Sequence, residues 1–440
     1  MDQETQLPVN GPAAETDAHG RPSRLTRRKL LRGGAAGLAC ATCGGGLWWY
    51  FSGRVRAATA AEIFPGDAPQ GQLWQLWKDR GWVREARHYL KLGKNLQCKL
   101  CPNQCLLGPE DRSRCRNRVN KEGTLYTLAY GNPSMPQLDA IEKKPLFHFL
   151  PGSRAFSFAT TGCGFRCLNC QNWNISQRKP EELKDPRGPA FEPKPHELLL
   201  TDEEQVNRMS IFPEGLVAMA QSFDCRSIAY TYSEPTVWFE YMIDTAKAAR
   251  AKNIKNVWVT CGYIQPEPLA ELCQYLDGAH IDLKGFSDET YDRLNSGKLA
   301  PVLATIQTLR REKIWFEVVN LVVPTYTDDA ATIRRMCRWL VDNVGPDCPV
   351  HFSRFMPAHK LTQLPTTPLE VLVAARSIAR EEGLHYPYIG NCGELPDGER
   401  TLCPHCGKTI VQRVGFSVQE MNVEQGKCKF CRTTIAGVWA

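Results

Sequence analysis

The chain has 440 residues, of which 42% are hydrophobic, so it can bury a sizeable core and does not have the composition of a disordered or fibrous protein. Its formal net charge is +7, but residues 1–60 hold eight Lys or Arg and four Asp or Glu, which leaves only +3 for the rest. A net charge this small, without a stripe of basic and aromatic residues, argues against a nucleic-acid-binding protein.

The nineteen cysteines are the most informative part of the composition. Their odd number rules out complete disulfide pairing within the chain. Many of them stand in C-x2-C or C-x3-C runs, and in a long, enzyme-sized chain such runs indicate metal sites before disulfides.

Residues 1–60 are predicted to be a targeting segment. The basic run Thr26-Arg27-Arg28-Lys29-Leu30-Leu31 precedes 21 uncharged residues, Gly33 to Gly53, and its adjacent arginines resemble a twin-arginine export signal. The uncharged run is just long enough to anchor the chain in a membrane. We therefore expect the protein to be exported, or anchored on the periplasmic side through residues 33–53.

Residues 61–152 are predicted to be an N-terminal extension that carries a four-cysteine metal module. The spacing Cys98-x2-Cys101-x3-Cys105-x9-Cys115 predicts a zinc site, with a second iron–sulfur cluster as the alternative. The proline after Cys101 departs from ferredoxin spacing. Residues 123–152 have strand character and are expected to connect this module to the next domain.

Residues 153–395 alternate between short β-branched or aromatic runs and helical stretches, which predicts an α/β fold. Six alternations indicate a parallel sheet, closed or partly closed into a (β/α)6 barrel. A polar, Pro-rich insert at 178–208 interrupts the rhythm and is expected to be a surface excursion or a lid. The predicted strands are 155–161, 227–232, 256–261, 279–284, 315–323 and 349–355, and the predicted helices are 214–223, 237–251, 267–275, 299–311, 329–343 and 367–382.

Cys163, Cys167 and Cys170 follow the first of these strands in a C-x3-C-x2-C spacing. Three closely spaced thiolates can bind three irons of a [4Fe–4S] cluster and leave the fourth iron open. S-adenosylmethionine could chelate that iron, and one electron would then cleave it to a 5′-deoxyadenosyl radical. A structural zinc loop is the competing interpretation. The position after a barrel strand, where active sites lie, favours the catalytic one.

The last part of the chain, residues 396–440, is predicted to be a separate zinc ribbon. Two C-x2-C pairs 21 residues apart match a structural zinc site, whose four ligands leave no open position. A rubredoxin-like iron site is the lesser alternative. The expected ligands are Cys403, Cys406, Cys428 and Cys431.

Several segments between residues 97 and 440 together resemble the radical enzyme of the AmmeMemoRadiSam system, a relative of pyruvate formate-lyase-activating enzymes. Beside the cysteine motif they include Ile141-Glu142-Lys143-Lys144-Pro145-Leu146 and Tyr230-Thr231-Tyr232-Ser233-Glu234-Pro235. They also include Ile281-Asp282-Leu283-Lys284-Gly285 and His351-Phe352-Ser353-Arg354-Phe355. The resemblance covers about three quarters of the chain, and the export segment and the Pro-rich insert depart from it.

The resemblance implies roles for residues outside the cysteine motif. Ser233 and Glu234 stand where related enzymes hold the methionine amino group, and Asp282 and Lys284 resemble residues near the ribose and the carboxylate. His351 would touch substrate or adenine. The plainer interpretations are a turn residue for Glu234, an internal salt bridge for Asp282 and Lys284, and a satisfied core histidine for His351. Cys261 stands where an asparagine is expected, which leaves its role open.

We therefore expect a radical S-adenosylmethionine enzyme that acts on a protein or another large partner and takes electrons from an external donor. The alternative is an exported iron–sulfur electron carrier or redox sensor without radical turnover. A cytoplasmic location is also considered, because S-adenosylmethionine and low-potential electrons are cytoplasmic.

Overall fold

The computed structural model of the protein describes residues 62–182, 210–393, 395 and 397–440. The described residues all belong to one compact unit, Ala61–Ala440. The predicted export segment, with the candidate anchor at 33–53, and most of the insert at 178–208 lie outside the described residues. No helix within the described ranges is long and apolar enough to cross a membrane.

The N-terminal extension begins with helix α1 (Gly71–Asp79), which buries Trp77 against Trp82 with ring centroids 5.7 Å apart. Two small antiparallel sheets follow within the described part of the chain. One consists of β1 (Arg84–Glu85), β6 (Thr124–Thr127) and β5 (Arg118–Lys121), in that order. The other consists of β2 (Tyr89–Leu92), β3 (Asn95–Cys98) and β4 (Leu106–Leu107).

The central sheet of the described region has eight strands, hydrogen-bonded in the order of the chain. Its first strand is antiparallel to the second, and the second to the eighth are parallel. Most of their side chains are buried, as expected for a parallel sheet covered on its faces. The strands are β7 (Ser134–Ala140), β8 (Arg154–Ala159), β9 (Ser227–Tyr230), β10 (Lys255–Thr260), β11 (Gly278–Asp282), β12 (Trp315–Val322), β13 (Val350–Arg354) and β14 (Pro387–Gly390).

The predicted alternation of strands and helices is confirmed, and all six predicted strands are present. The sheet has two strands more than the six predicted, because β7 and β14 also join it. Both contain a proline, Pro136 and Pro387, which weakens a strand pattern in the sequence. Both also lie at an edge of the sheet. An edge strand tolerates proline, because its outer side has no neighbouring strand to which a backbone N–H would donate.

The helices that follow the strands agree with the predicted ones within two residues. In α8, buried side chains recur at helical spacing at Ile333, Met336, Cys337 and Leu340, and the Asp329 carboxylate accepts a hydrogen bond from the Thr332 amide at 2.7 Å as an N-cap. The helices are α2 (Trp173–Ser176), α3 (Pro213–Ser222), α4 (Phe239–Ala251), α5 (Pro266–Cys273), α6 (Asp288–Thr290), α7 (Leu299–Arg311), α8 (Ala330–Asn343) and α9 (Leu369–Glu381).

The C-terminal segment packs onto the central sheet through backbone and side-chain hydrogen bonds. The Leu150 amide donates to the Val438 carbonyl at 2.7 Å, and the Val438 amide donates to the His148 carbonyl at 2.7 Å. The buried Arg413 guanidinium donates to the Phe147 carbonyl at 2.6 Å. The strands of this segment are β15 (Thr401–Leu402), β16 (Thr409–Val414), β17 (Ser417–Met421), β18 (Val423–Glu424) and β19 (Lys427–Cys428).

His148 at this contact makes the stability of the fold depend on pH. Its Nδ1 lies 2.7 Å from the Ala436 carbonyl, and burial lowers its pKa from 6.5 to about 4. Between these pH values the unfolded chain binds a proton that the folded chain does not, so stability falls as pH drops from about 6.5 towards 4. We expect His148→Gln to reduce the pH dependence of the unfolding free energy by about 1.4 kcal/mol per pH unit in this window. Urea unfolding at pH 5 and pH 7 measures this, and an unchanged slope in the variant would contradict it.

Candidate active site

Three cysteines, Cys163, Cys167 and Cys170, lie on the loop that follows β8, at the carboxyl edge of the parallel strands. All three are partly buried and line one cavity of about 420 Å³. Ligands of α/β sheets bind at this edge, because the loops after neighbouring strands converge there. The predicted position of the motif, directly after the first parallel strand, agrees with the structure.

Each of these three sulfur atoms has a polar neighbour. The Phe165 amide donates to the Cys163 Sγ at 3.4 Å, and the Asn295 Nδ2 donates to the Cys167 Sγ at 3.2 Å. The Ser176 hydroxyl lies 3.2 Å from the Cys170 Sγ. Burial raises the pKa of Cys167 to about 11, so thiolates at this loop require cations to stabilise them.

The three thiols fit an iron–sulfur cluster with three protein ligands. They stand within eight residues on one loop and line the same cavity. Cysteine thiolates are the usual ligands of such clusters, and three of them leave one iron of a four-iron cluster without a protein ligand.

Glu234 lies in the same cavity, in the loop between β9 and α4, and its carboxylate is held by several donors. Its Oε1 accepts hydrogen bonds from the Thr236 amide at 3.1 Å and from the Thr260 hydroxyl at 2.6 Å. Its Oε2 accepts from the amide of Cys261 at 2.9 Å, and the Cys261 thiol lies 2.8 Å away. Ser233 lines the cavity next to it and accepts a hydrogen bond from the Trp238 indole at 3.2 Å. A carboxylate fixed in this way can bind an ammonium group without reorganising.

Asp282 and Lys284, at the end of β11 and just after it, form an ion pair in this cavity with Nζ and Oδ2 2.8 Å apart. Burial alone would lower the pKa of Lys284, but Asp282 raises it well above its usual value, so the ammonium persists. His280 Nε2 lies 2.9 Å from the other oxygen of Asp282. His280 belongs to none of the motifs recognised in the sequence, although residues 280, 282 and 284 share one face by the two-residue period of a strand.

The region that holds this cavity matches known proteins. A family model described as the radical SAM superfamily matches residues 158–337. An uncharacterized protein of Methanocaldococcus jannaschii is 42% identical over 354 residues, which cover 79% of this chain and 98% of that protein. The chain belongs to the radical SAM superfamily. Membership implies an enzyme that uses S-adenosylmethionine and an iron–sulfur cluster.

Solved structures that are similar to parts of this chain include the following two. A domain of pyruvate-formate lyase-activating enzyme from Bacteroides vulgatus is 17% identical, covers 38% of this chain and 99% of that chain, and has a TM-score of 0.33. A radical SAM methyltransferase from Sphaerobacter thermophilus is 12% identical, covers 70% of this chain and 76% of that chain, and has a TM-score of 0.39.

His351 lines the radical SAM cavity but is nearly fully buried, and its Nε2 lies 2.7 Å from the Glu317 carboxylate. Glu317 also accepts hydrogen bonds from the amides of Phe147 and His148, at 3.0 and 2.7 Å. Burial would raise the pKa of Glu317, but the hydrogen bond from His351 and neighbouring charges lower it to about 2. Glu317 was not predicted as a site residue. The feature that could have indicated it is an acidic residue inside the otherwise apolar run of β12. The pair ties His351 to the interior of the sheet.

The four C-terminal cysteines predicted to form the ribbon come together in the structure. The Sγ atoms of Cys403 and Cys431 lie 3.6 Å apart, and those of Cys406 and Cys428 lie 3.8 Å apart. All four ligand atoms lie within 4.8 Å of one another. Four sulfurs at about 2.3 Å from a tetrahedral zinc ion would be about 3.8 Å apart. The geometry matches a single tetrahedral ion.

The four N-terminal cysteines are withdrawn from solvent. Cys98, Cys105 and Cys115 are buried, Cys101 is partly buried, and none of the four forms a disulfide. The Cys98 amide donates to the Cys105 carbonyl at 2.9 Å, which holds these two cysteines on adjacent strands. The zinc site predicted for the four, and the alternative iron–sulfur cluster, stay predictions.

Proposed function

We propose that the protein reductively cleaves S-adenosylmethionine at a [4Fe–4S] cluster held by Cys163, Cys167 and Cys170, and that it acts on a protein or other macromolecular partner. The observation that carries the proposal is the shared cavity. The thiols of Cys163, Cys167 and Cys170 line it together with the Glu234 carboxylate and the Lys284 ammonium. The resemblance to the radical enzyme of the AmmeMemoRadiSam system supports an activity like that of the activating enzymes.

The chain's own residues would position S-adenosylmethionine in this cavity. When bound, the cluster supplies the electron that divides S-adenosylmethionine into methionine and a 5′-deoxyadenosyl radical. Glu234 would hold the methionine ammonium, because its carboxylate is buried and already fixed by Thr236 and Thr260. Lys284 would offer its positive charge to the methionine carboxylate, and Asp282 keeps that ammonium in place.

The surface beside the cavity supports a large partner. Trp173, three residues after Cys170, is 40% exposed and stacks on His359 with ring centroids 5.4 Å apart. Met356, in the loop after β13, is also exposed. Exposed aromatic and Met side chains are enriched in protein interfaces. The external one-electron donor that the reaction requires would also have to approach the surface beside the cavity.

Anaerobic reconstitution of the full chain with iron and sulfide, followed by S-adenosylmethionine and dithionite, tests the reaction. We expect 5′-deoxyadenosine and methionine in equal amounts. We expect the rate to rise on adding the macromolecular fraction of a lysate from the source organism, and not on adding its low-molecular-weight filtrate. An intact cluster without 5′-deoxyadenosine would refute the cleavage, and stimulation by the filtrate alone would refute the macromolecular partner.

We also propose that Cys403, Cys406, Cys428 and Cys431 bind one structural zinc ion. Four protein ligands leave no open position, so the ion would stabilise the C-terminal segment and take no part in turnover. We expect Cys406→Ser to lose one equivalent of zinc, as measured by elemental analysis, and to melt at a lower temperature. Iron content should not change in this variant. Retention of the full zinc content would contradict the assignment.

A further inference from the structure

A groove of about 370 Å³ lies beside the radical SAM cavity. Its lining comes from three parts of the chain: the end of β7 (138–140), the start of β8 with the two residues before it (152–154), and the turn and first residues of the β16–β17 hairpin (416–418). The groove is therefore built jointly by the central sheet and the C-terminal segment.

Two residues connect this groove to the cavity. Phe416 lines both of them. Asp139 lines the groove, and its carboxylate accepts hydrogen bonds from the Tyr232 hydroxyl and, at 2.7 Å, from the Lys143 ammonium. Both of these donors line the cavity. A chain segment bound in the groove would therefore lie one side chain away from the cavity.

The strand that lines the groove, β7, is the terminal strand of the central sheet and pairs on one side with β8. On that side the Ile141 amide donates to the Ser153 carbonyl at 3.0 Å. Successive residues of an antiparallel ladder point their backbone groups to opposite sides, so those of Asp139 face β8 and those of Leu138 and Ala140 face the open side. Within the described part of the chain, no strand pairs with that open side.

An open strand edge can accept the backbone of another extended segment, which then continues the sheet. In such an added strand, alternate side chains would point to the same side as the Asp139 side chain, which turns towards Tyr232 and the cavity. Pro136 has no amide hydrogen to donate, so the stretch of β7 that can pair is short and centres on Leu138 and Ala140. The edge therefore suits a short extended segment that directs one or two side chains to the cavity.

Exposed apolar side chains beside the edge would add to the backbone pairing. Leu138 is 46% exposed and Phe416 is 49% exposed. The hairpin that carries Phe416 is held in place by the buried Arg413, whose guanidinium donates to the Thr401 hydroxyl at 2.8 Å and lies 4.2 Å from the centroid of the Phe147 ring. An aromatic side chain on a fixed backbone contributes more to binding, because little freedom remains to be lost.

We propose that this groove binds an extended polypeptide segment of the macromolecular partner, which pairs with β7 at Leu138 and Ala140 and packs against Phe416. The chemistry of the edge selects a polypeptide, because its alternating amide and carbonyl groups are matched by the backbone of another chain. The role of the segment as substrate rests on the proposed function, whereas the binding of a polypeptide in the groove does not.

The probe is a phage-displayed library of random linear peptides, selected on the full chain after anaerobic reconstitution, without S-adenosylmethionine or reductant. We expect a selected peptide to slow hydrogen exchange at the amides of Leu138 and Ala140 but not at Asp139, which already faces β8. N-methylation of every second peptide amide should weaken binding at least about tenfold in one register and less than about twofold in the other. A library that yields no binding peptide, or peptides that protect only other amides, would overturn the proposal.

Leu138→Pro is the decisive variant, because it removes an amide hydrogen from the open side and none from the ladder with β8. It should weaken peptide binding at least about tenfold, as should Phe416→Ala. Leu138→Val keeps the amide and should bind within about threefold of the wild type. Val373→Ala, at an exposed position on α9, should match the wild type. Equal binding by Leu138→Pro and Leu138→Val would overturn the proposal, and if Leu138→Pro does not fold, the N-methylated peptides still decide the outcome.

A second copy of the chain is the other occupant that an open strand edge would accept. A wild-type dimer that Leu138→Pro converts to a monomer, with no peptide bound by either protein, would overturn the proposal in favour of self-association. Formation of 5′-deoxyadenosine by the wild type is measured separately. Peptide binding without 5′-deoxyadenosine would refute the cleavage reaction and leave the groove assigned, and cleavage without peptide binding would refute the groove alone.

Discussion

Replacing any one of Cys163, Cys167 and Cys170 with alanine should reduce 5′-deoxyadenosine formation by about three orders of magnitude or more, to the detection limit. Three protein thiolates are the minimum that holds a cubane cluster with one open iron, so removing one removes the means of binding and reducing S-adenosylmethionine. The fold should survive, because the loop is anchored elsewhere. For example, the amides of Arg166 and Leu168 each donate to a backbone carbonyl, of Asn295 and Leu294, at 2.9 Å.

Cys273→Ala is the matched control for these variants, because Cys273 is a partly buried cysteine on α5 outside the cavity. It should retain the activity of the wild type. Iron content, visible absorption and 5′-deoxyadenosine are measured on the same anaerobic preparations. Turnover by Cys163→Ala at a rate near that of the wild type would show that the motif is not required for the reaction.

Glu240→Ala should lower the free energy of unfolding by about 3 to 5 kcal/mol, because it leaves a buried guanidinium without its counter-ion. Arg118 donates from its Nη2 to both oxygens of Glu240, at 2.7 and 2.8 Å, and both side chains are almost completely buried. The Arg87 amide also donates to Glu240, at 2.7 Å. Since Glu240 lies on α4 and Arg118 on β5, the pair joins the N-terminal extension to the radical SAM domain.

The control is Glu289→Ala, which breaks an exposed pair in which Arg293 and Glu289 lie 3.0 Å apart. Such a pair contributes about 0.3 to 0.5 kcal/mol, so this variant should unfold nearly as the wild type does. The double variant Arg118→Met, Glu240→Leu should recover part of the loss, because no charge is then left unpaired. Urea unfolding with parallel metal analysis separates loss of the pair from loss of metal. If Glu240→Ala and Glu289→Ala lost equal unfolding free energy, the buried pair would not be what stabilises the contact between the N-terminal extension and the radical SAM domain.

Local patterns were sufficient for much of the fold and for the cysteine site. The six predicted strands and six predicted helices of the central domain follow from runs of apolar residues. The backbone geometry sets the period of these runs, so they can be recognised in the sequence alone. The same holds for the loop of Cys163, because its three cysteines lie within eight residues. The edge strands β7 and β14 were not assigned to the sheet, although residues 123–152 were predicted to have strand character, because their prolines weaken the strand pattern.

Pairings between distant residues could not be predicted in this way. Glu317 and His351 lie 34 positions apart, and only the register of β12 and β13 places them together. Arg118 and Glu240 are 122 positions apart. Nothing in the local sequence around these residues indicates their partners. A charged residue in a sequence does not reveal which opposite charge will lie beside it in the folded chain.

The sequence by itself determined that the chain has a three-cysteine motif after a parallel strand, and the family comparison agrees that this is a radical SAM domain. Spacing along a chain fixes which residues can act as ligands, because neighbouring residues cannot separate. Only the tertiary structure decided which distant cysteines come together, because that depends on how hairpins and loops from remote parts of the chain pack. It brings the sulfurs of Cys403, Cys406, Cys428 and Cys431 within 4.8 Å of one another. It also places Asn103, in the N-terminal cysteine segment, against the Gly164 carbonyl beside Cys163.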